Sequence, residues 1–214
     1  MSNLFSVKEL KYNTKFKNLK KINVSGLELQ KNKRKRDLIA FVQLGYGRDG
    51  IAYKSTNNKY VMKIVKYIED ARKEERCLKS LYKHKFTPKF IKRIANVVLM
   101  SYFSNTQDIE TYVHNRKDCA PKKLENSLKR LITLSIKHKK ANNDSNPMNI
   151  LIDTKSNMAK MIDFSDNCTV RNPCRYWKEV IAEIGMNRMR KVFPGILSFM
   201  KRRCKLTSMY YTGY

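Results

Sequence analysis

Three side chains far down the sequence carry the clearest chemical signal. In Asn143-Asp-Ser-Asn-Pro-Met-Asn149, Asp144 and Asn149 flank Pro147 and stand five residues apart. A carboxylate can take the proton of an attacking hydroxyl, and an amide oxygen at that spacing can ligate Mg2+. Asp163 follows at the end of the apolar Lys160-Met-Ile-Asp163, where a carboxylate needs a partner and a metal ion suits it. Singly, Asp144 reads as a turn residue and Asp163 as a strand-end carboxylate capping a turn. Together, with Ile150-Leu-Ile152 between them, the order acid, amide, acid is hard to obtain by chance. Upstream lies Leu44-Gly-Tyr-Gly-Arg-Asp-Gly-Ile-Ala-Tyr53. Gly45, Gly47 and Gly50 would let the backbone approach phosphate oxygens closely and aim amide hydrogens at them. The same segment alone also reads as an ordinary hairpin with turn glycines. Lys63 comes after the glycines and is placed to neutralise phosphate charge. Glu74 is its expected partner, because Leu78 and Leu81 follow at intervals that share one helix face; Glu75 reads as its surface neighbour.

These residues need elements to hold them. Leu38–Leu44, Ile51–Ser55 and Tyr60–Val65 read as strands, with a turn at Asn57-Asn-Lys59. A strand after the glycines, where a dinucleotide-binding unit has a helix, points to a flap over phosphates. Glu69 to Tyr82 reads as a helix with Ala71, Glu74, Leu78 and Leu81 on one face, and Pro88 ends that region. Phe90–Ile94 and Val97–Phe103 read as two strands around Asn96. Leu124 to Lys140 reads as an amphipathic helix with Leu124, Leu128, Leu131, Ile132 and Ser135 inward. Ile150–Ile152 and Ala159–Ile162 form a hairpin around Lys155-Ser-Asn157, and Tyr176 to Met189 reads as the last clear helix. That order predicts an α+β, two-lobed molecule with a cleft between the lobes.

The chain has 214 residues, a 42% hydrophobic fraction and a net charge of +28. The first two figures suit one domain or one small bilobal unit with a real core, and exclude disorder throughout. The third attracts polyanions, although a Lys- and Asn-rich genome bias explains such charge equally well. Lys31-Asn-Lys-Arg-Lys-Arg36 reads either as a nuclear import or nucleic-acid contact, or as a solvated segment. Arg188-Met-Arg-Lys191 to Lys201-Arg-Arg-Cys-Lys205, with Phe193 and Phe199 interleaved, reads either as a phosphate-binding segment or as a helix with an apolar inner face. The second reading is favoured. Five cysteines without C-x-x-C, and histidines not at ligand spacing with them, indicate neither a zinc site nor a disulfide framework. Reduced thiols in a cytoplasmic or nuclear protein are expected. No signal-peptide core and no membrane-spanning run is visible.

Over roughly residues 40 to 170 the chain resembles the protein-kinase-like superfamily. The glycine flap, Lys63, Glu74, Asp144, Asn149 and Asp163 fall in that family's order. The resemblance implies a small antiparallel-sheet N-lobe of about 38–103 and a truncated, mainly helical C-lobe of about 104–205. A basic extension over 1–37 and a tail over 206–214 would flank this 38–205 domain. It implies ATP and Mg2+ as cofactors, with Lys63 and Glu74 on the phosphates and Met100 beside the adenine pocket. Asp144 would be the catalytic base, and Asn149 and Asp163 the metal ligands. The departures are specific. Asn142-Asn143 replaces the family's His-Arg, Asn146 its catalytic-loop lysine, and Asp163-Phe-Ser165 its Asp-Phe-Gly, and no Ala-Pro-Glu follows. The whole resembles the compact, divergent kinases of large DNA viruses and of bacterial effectors, or atypical small kinases, with a host cell or virion as the setting if the origin is viral. The expected activity is transfer of the ATP γ-phosphate to Ser or Thr of a protein, an acidic one by charge. The alternatives are a small-molecule phosphotransferase of the same fold and a non-catalytic basic scaffold on nucleic acid or a host protein.

Overall fold

The computed structural model describes residues 4–5, 21–24, 39–47, 50–81, 83–141, 144–164 and 169–205. The expectations placed on Lys31–Arg36, Asn142-Asn143, Ser165 and the tail over 206–214 lie outside the described residues. The chain divides into two compact units, one of residues 1–82 and 88–104, the other of 83–87 and 105–214.

The first unit is a seven-stranded sheet with one helix. Its strands are β1 (Leu4–Phe5), β2 (Lys21–Val24), β3 (Ile39–Tyr46), β4 (Gly50–Ser55), β5 (Tyr60–Val65), β6 (Phe90–Ile94) and β7 (Val97–Ser101), and its helix is α1 (Ile68–Ser80). The spatial order is β1-β2-β3-β4-β5-β7-β6. All neighbours pair antiparallel except β1 and β2. The segment ahead of Asp37 thus contributes two strands to the sheet. Alternation explains β4, where Ile51, Tyr53 and Ser55 are buried and the residues between them are not. Ser55 organises the next turn: its hydroxyl accepts from the amides of Lys59 and Tyr60 and donates to Asn57. Asn58 there adopts φ 55°, a left-handed conformation that asparagine tolerates. The β6–β7 turn is fixed to β5 by Asn96, whose side-chain amide donates to the Val65 carbonyl at 2.7 Å. Phe41, Tyr53, Met62, Ile64 and Val98 form the core of this unit with Ala71 and Leu78 of α1.

The second unit holds β8 (Thr106–Asp108), β9 (Ile150–Asp153) and β10 (Met158–Met161) in the order β10-β9-β8. Its helices are α2 (Ile109–Asn115), α3 (Lys122–His138), α4 (Pro173–Ile184), α5 (Met186–Val192) and α6 (Ile196–Cys204). Leu124, Leu128, Leu131, Ile132 and Ser135 of α3 are all buried, as their spacing predicts. The Ser127 hydroxyl accepts from the Ala159 amide and ties α3 to β10. The helix read over Tyr176 to Met189 is two helices. Gly185 at φ 97° is a backbone position closed to most side chains, and it ends α4 and starts α5. In the C-terminal basic segment, Phe193, Ile196, Leu197 and Met200 are buried, so the apolar-faced helix is what forms there. One expectation fails: Cys174 and Cys204 are joined in a disulfide, with Cα atoms 5.7 Å apart. Thirty residues separate them, and no spacing rule connects cysteines that only helix packing brings together.

Candidate active site

In the first unit, Lys63 projects from the middle of β5, paired across to Ala52 and Val98. Its Nζ lies 3.5 Å from Oε2 of Glu74, which is 1% exposed against 14% for the lysine side chain. Of the two adjacent glutamates, the inward one meets Lys63. Glu75 is partly buried rather than a surface residue, and Lys79 at 2.7 Å and Arg93 hold its carboxyl below the usual carboxylate range. Helical periodicity is the cause: Glu74 shares a face with Ala71 and Leu78, and Glu75 is turned a further step away.

The three glycines differ. A Cβ at Gly45 or Gly47 would meet nothing within 4 Å, so neither is demanded by packing. A Cβ at Gly50 would stand 2.6 Å from the Ile64 carbonyl oxygen, so this glycine lets β4 lie close to β5. The Gly47 amide donates to the Gly50 carbonyl at 2.9 Å and closes the loop. Met100 sits on β7 opposite Val61 and is buried.

In the second unit, Asp144 and Asn149 are brought together. Asp144 accepts from the Asn146 amide at 3.2 Å and from Asn149 Nδ2 at 3.4 Å. An amide that donates from its nitrogen keeps its oxygen for another partner, which is what a metal ligand needs. Asn146 turns inward on the loop: its Oδ1 accepts from Met148 N at 2.8 Å and caps the short 3-10 turn Pro147–Asn149. The side chain at the lysine position therefore shapes the loop and supplies no charge. Asp163 is held beside Asn149 by backbone bonds: Met161 pairs with Ile150, and the Ile162 amide donates to the Asn149 carbonyl at 3.0 Å. Asp163 itself adopts φ 62°, a left-handed conformation that costs most non-glycine residues energy. Phe164 behind it is fully buried.

Two features here escaped sequence reasoning. Tyr176 of α4 is buried, and burial together with the charge of Asp144 pushes its phenol far above the usual range, so it stays a hydroxyl donor. Burial and the like charges of Glu110 and Asp144 hold Glu183 above the usual carboxylate range. The sequence marks Tyr176 only as the first residue of a helix, and nothing in its local sequence points to Asp144.

Residues 40–178 match the RIO domain family. The chain belongs to the RIO domain family. Its fold is accordingly protein-kinase-like, of the α+β class, with an antiparallel-sheet first lobe. Among solved structures, the Rio2 kinase from Chaetomium thermophilum is similar at 20% identity and a TM-score of 0.49. That similarity covers 69% of this chain and 56% of the Rio2 chain, so this chain spans a little over half the length of that protein. A search of curated proteins returns no match. No helix among the described residues is long and apolar enough to cross a membrane.

The donor set of this RIO domain suits a hard cation. Asn149 and Asp163 offer an amide and a carboxylate oxygen, and Mg2+ is held in just this way, with phosphate oxygens and water completing its shell. Among the described residues there is no group of three or more His, Cys, Asp or Glu side chains that would hold a metal by itself.

Proposed function

We propose that this RIO domain is an ATP- and Mg2+-dependent phosphotransferase that phosphorylates serine or threonine hydroxyls of a protein. The observation that carries the reading is the hydrogen bond from Asn149 Nδ2 to Asp144, which orients a carboxylate and an amide oxygen on one short loop. Asp144 accepts the proton of the acceptor hydroxyl as its oxygen attacks the γ-phosphorus. The bond from that phosphorus to the bridging oxygen breaks, and ADP leaves with the electron pair. Lys63, steadied by Glu74, neutralises charge on the phosphates, and the open space over Gly45 and Gly47 lets backbone amides approach them. Asn149 and Asp163 would hold Mg2+, which when bound offsets phosphate charge. Because Asn146 is committed to the turn, the loop brings no cation to the transferred phosphate, and a slow enzyme is expected.

The test is phosphate transfer from labelled Mg-ATP to the protein itself and to a generic acceptor such as casein, with Asp144→Asn and Asp163→Asn alongside. Transfer lost in Asp144→Asn with nucleotide binding retained, and Mg2+-dependent nucleotide binding weakened in Asp163→Asn, supports the reading. Equal activity in either variant overturns the assignment of that residue. Nucleotide binding without transfer to any protein would move the acceptor to a small molecule.

A further inference from the structure

The chain has three histidines, and two of them, far apart in sequence, meet in the second unit. The ring centroids of His84 and His138 stand 5.4 Å apart, with the ring planes tilted by 50°. Each ring rises from backbone that is itself anchored. His84 lies in the irregular segment 83–87, which is tied to β10 because the Phe86 carbonyl accepts from the Met161 amide at 2.7 Å. His138 is the last residue of α3; Lys139 follows at φ 50°, and the Lys140 amide donates back to the Ser135 carbonyl at 3.0 Å. The bond between Ser127 and Ala159 joins α3 to β10, so both histidines stand on one framework.

The contact gives the fold little. Among the described residues neither imidazole forms a hydrogen bond or an ion pair, so the ring nitrogens stay available. His84 is half-buried and His138 exposed. Burial, and then the charge of His138, hold His84 below the usual imidazole range, which favours the neutral form that ligates metals. A zinc–nitrogen bond of about 2.0–2.1 Å puts an imidazole centroid about 3.2 Å from the ion, so two rings sharing an ion at a tetrahedral angle stand about 5.2 Å apart. The observed 5.4 Å fits that arrangement. Nitrogen lone pairs lie in the ring plane, and two rings tilted by 50° can aim them at one point, which flat-stacked rings cannot. Imidazole nitrogen suits Zn2+, Cu2+ and Ni2+, whereas Mg2+ takes oxygen. Lys83, Lys85, Lys137 and Lys139 flank the pair in sequence and oppose a cation, while α3, a helix of 17 residues, turns the negative end of its dipole toward His138. No third His, Cys, Asp or Glu joins the two among the described residues, so water fills the remaining positions and the site is a weak one.

We infer that His84 and His138 together bind one divalent transition-metal ion of the zinc class. The bound ion fastens to the end of α3 the short segment by which the chain enters the second unit after residue 82 and leaves it before residue 88. The inference goes beyond the phosphotransfer reading and is independent of it: its ligands are ring nitrogens, while Asn149 and Asp163 offer oxygen.

The experiment titrates Zn2+ into the full, non-reduced chain, first stripped with chelator and then held in excess Mg2+, with a chromophoric indicator reporting free Zn2+. One ion per chain at micromolar affinity is expected. His84→Ala and His138→Ala should each weaken binding by about tenfold or more, since even groups that only orient a metal ligand are worth that much. His114→Ala removes the remaining histidine and Cys119→Ser an exposed free thiol, and both should bind as the parent does. Parent affinity in either His84→Ala or His138→Ala would overturn the shared site, as would loss of binding in Cys119→Ser. If circular dichroism shows that an alanine variant fails to fold, His84→Gln or His138→Gln replaces it. The second readout is electron paramagnetic resonance with one equivalent of Cu2+ in the Cys119→Ser background. Nitrogen hyperfine structure from two imidazoles in that protein, and from one after removal of either histidine, supports the site. A single imidazole before either is removed would mean an adventitious ion only and overturn it. Asp144→Asn and Asp163→Asn should bind Zn2+ as the parent does, so failure here leaves the phosphotransfer reading standing, and failure there leaves this one.

Discussion

Removing Lys63 should damage the fold as well as the chemistry, and the two effects are separable. Its ammonium stands 3.5 Å from a carboxylate that is 1% exposed. At an effective dielectric of about 20, that separation corresponds to an attraction of about 5 kcal/mol before desolvation is charged against it. Breaking a buried pair by deleting one partner costs about 3–5 kcal/mol, because the remaining charge stays in a poor solvent. Lys63 keeps some water and Glu74 keeps further contacts in the protein, so the lower end applies. Lys63→Met should therefore lose about 3 kcal/mol, which for a chain of this size lowers Tm by about 6–12 °C. Lys63→Met/Glu74→Leu removes both charges and should regain about 2 kcal/mol, more than independent sites would allow. Phosphate transfer should be absent in both variants despite that recovery. The assay is a thermal and urea melt of parent, both single variants and the double variant, with transfer from labelled ATP measured on each. A double variant that melts at the sum of the two single losses would refute the coupling. A Lys63→Met protein as stable as the parent would refute the cost assigned to the buried carboxylate.

Gly50→Ala should cost about 1–3 kcal/mol in a melt, because its Cβ meets the Ile64 carbonyl at 2.6 Å and neither backbone can yield cheaply. Gly47→Ala meets open space and should change stability by less than about 0.5 kcal/mol while raising the KM for ATP. Asp153 gives a pH prediction: burial pushes its carboxyl up, but the Ser156 amide and hydroxyl and Lys160 outweigh that and hold it below the usual range. A depressed folded pKa contributes stability that is complete above the usual carboxylate range and is lost as pH falls through the folded value. Asp153→Asn should accordingly flatten the loss of stability between about pH 5 and pH 2, and an acid limb as steep as the parent's would contradict it. Cys204→Ser opens the crosslink between residues 30 apart and should cost about 2–4 kcal/mol in non-reducing melts; an unchanged midpoint would show that the bridge adds nothing.

What could be read from the sequence divides by the range of the interaction that fixes each residue. The loop from Asp144 to Asn149 is organised by its own members, through bonds from Asn146 N, Met148 N and Asn149 Nδ2 to oxygens two to five residues away. Such a loop writes its geometry into a local pattern, which is why its order of side chains could be seen. The inner face of α3 and the separation of Glu74 from Glu75 are likewise set by helical period alone. The short α2 has little period to show: its seven residues are stabilised by Asp108, which accepts from the Thr111 amide at 2.7 Å. The strands Leu4–Phe5 and Lys21–Val24 join the sheet through pairing that a polar, basic stretch does not announce.

Contacts made only by packing left no trace at all. Tyr176 acquires the charge of Asp144 as a neighbour because α4 packs against the turn Pro147–Asn149, and Cys174 meets Cys204 because α6 folds back toward α4. Side chains gathered on one short loop carry a spacing that a motif can register. Side chains assembled from distant segments answer to no such spacing. The disulfide illustrates the difference: along the chain its two cysteines stand 30 residues apart, and only the packing of the helices brings their Cα atoms to 5.7 Å.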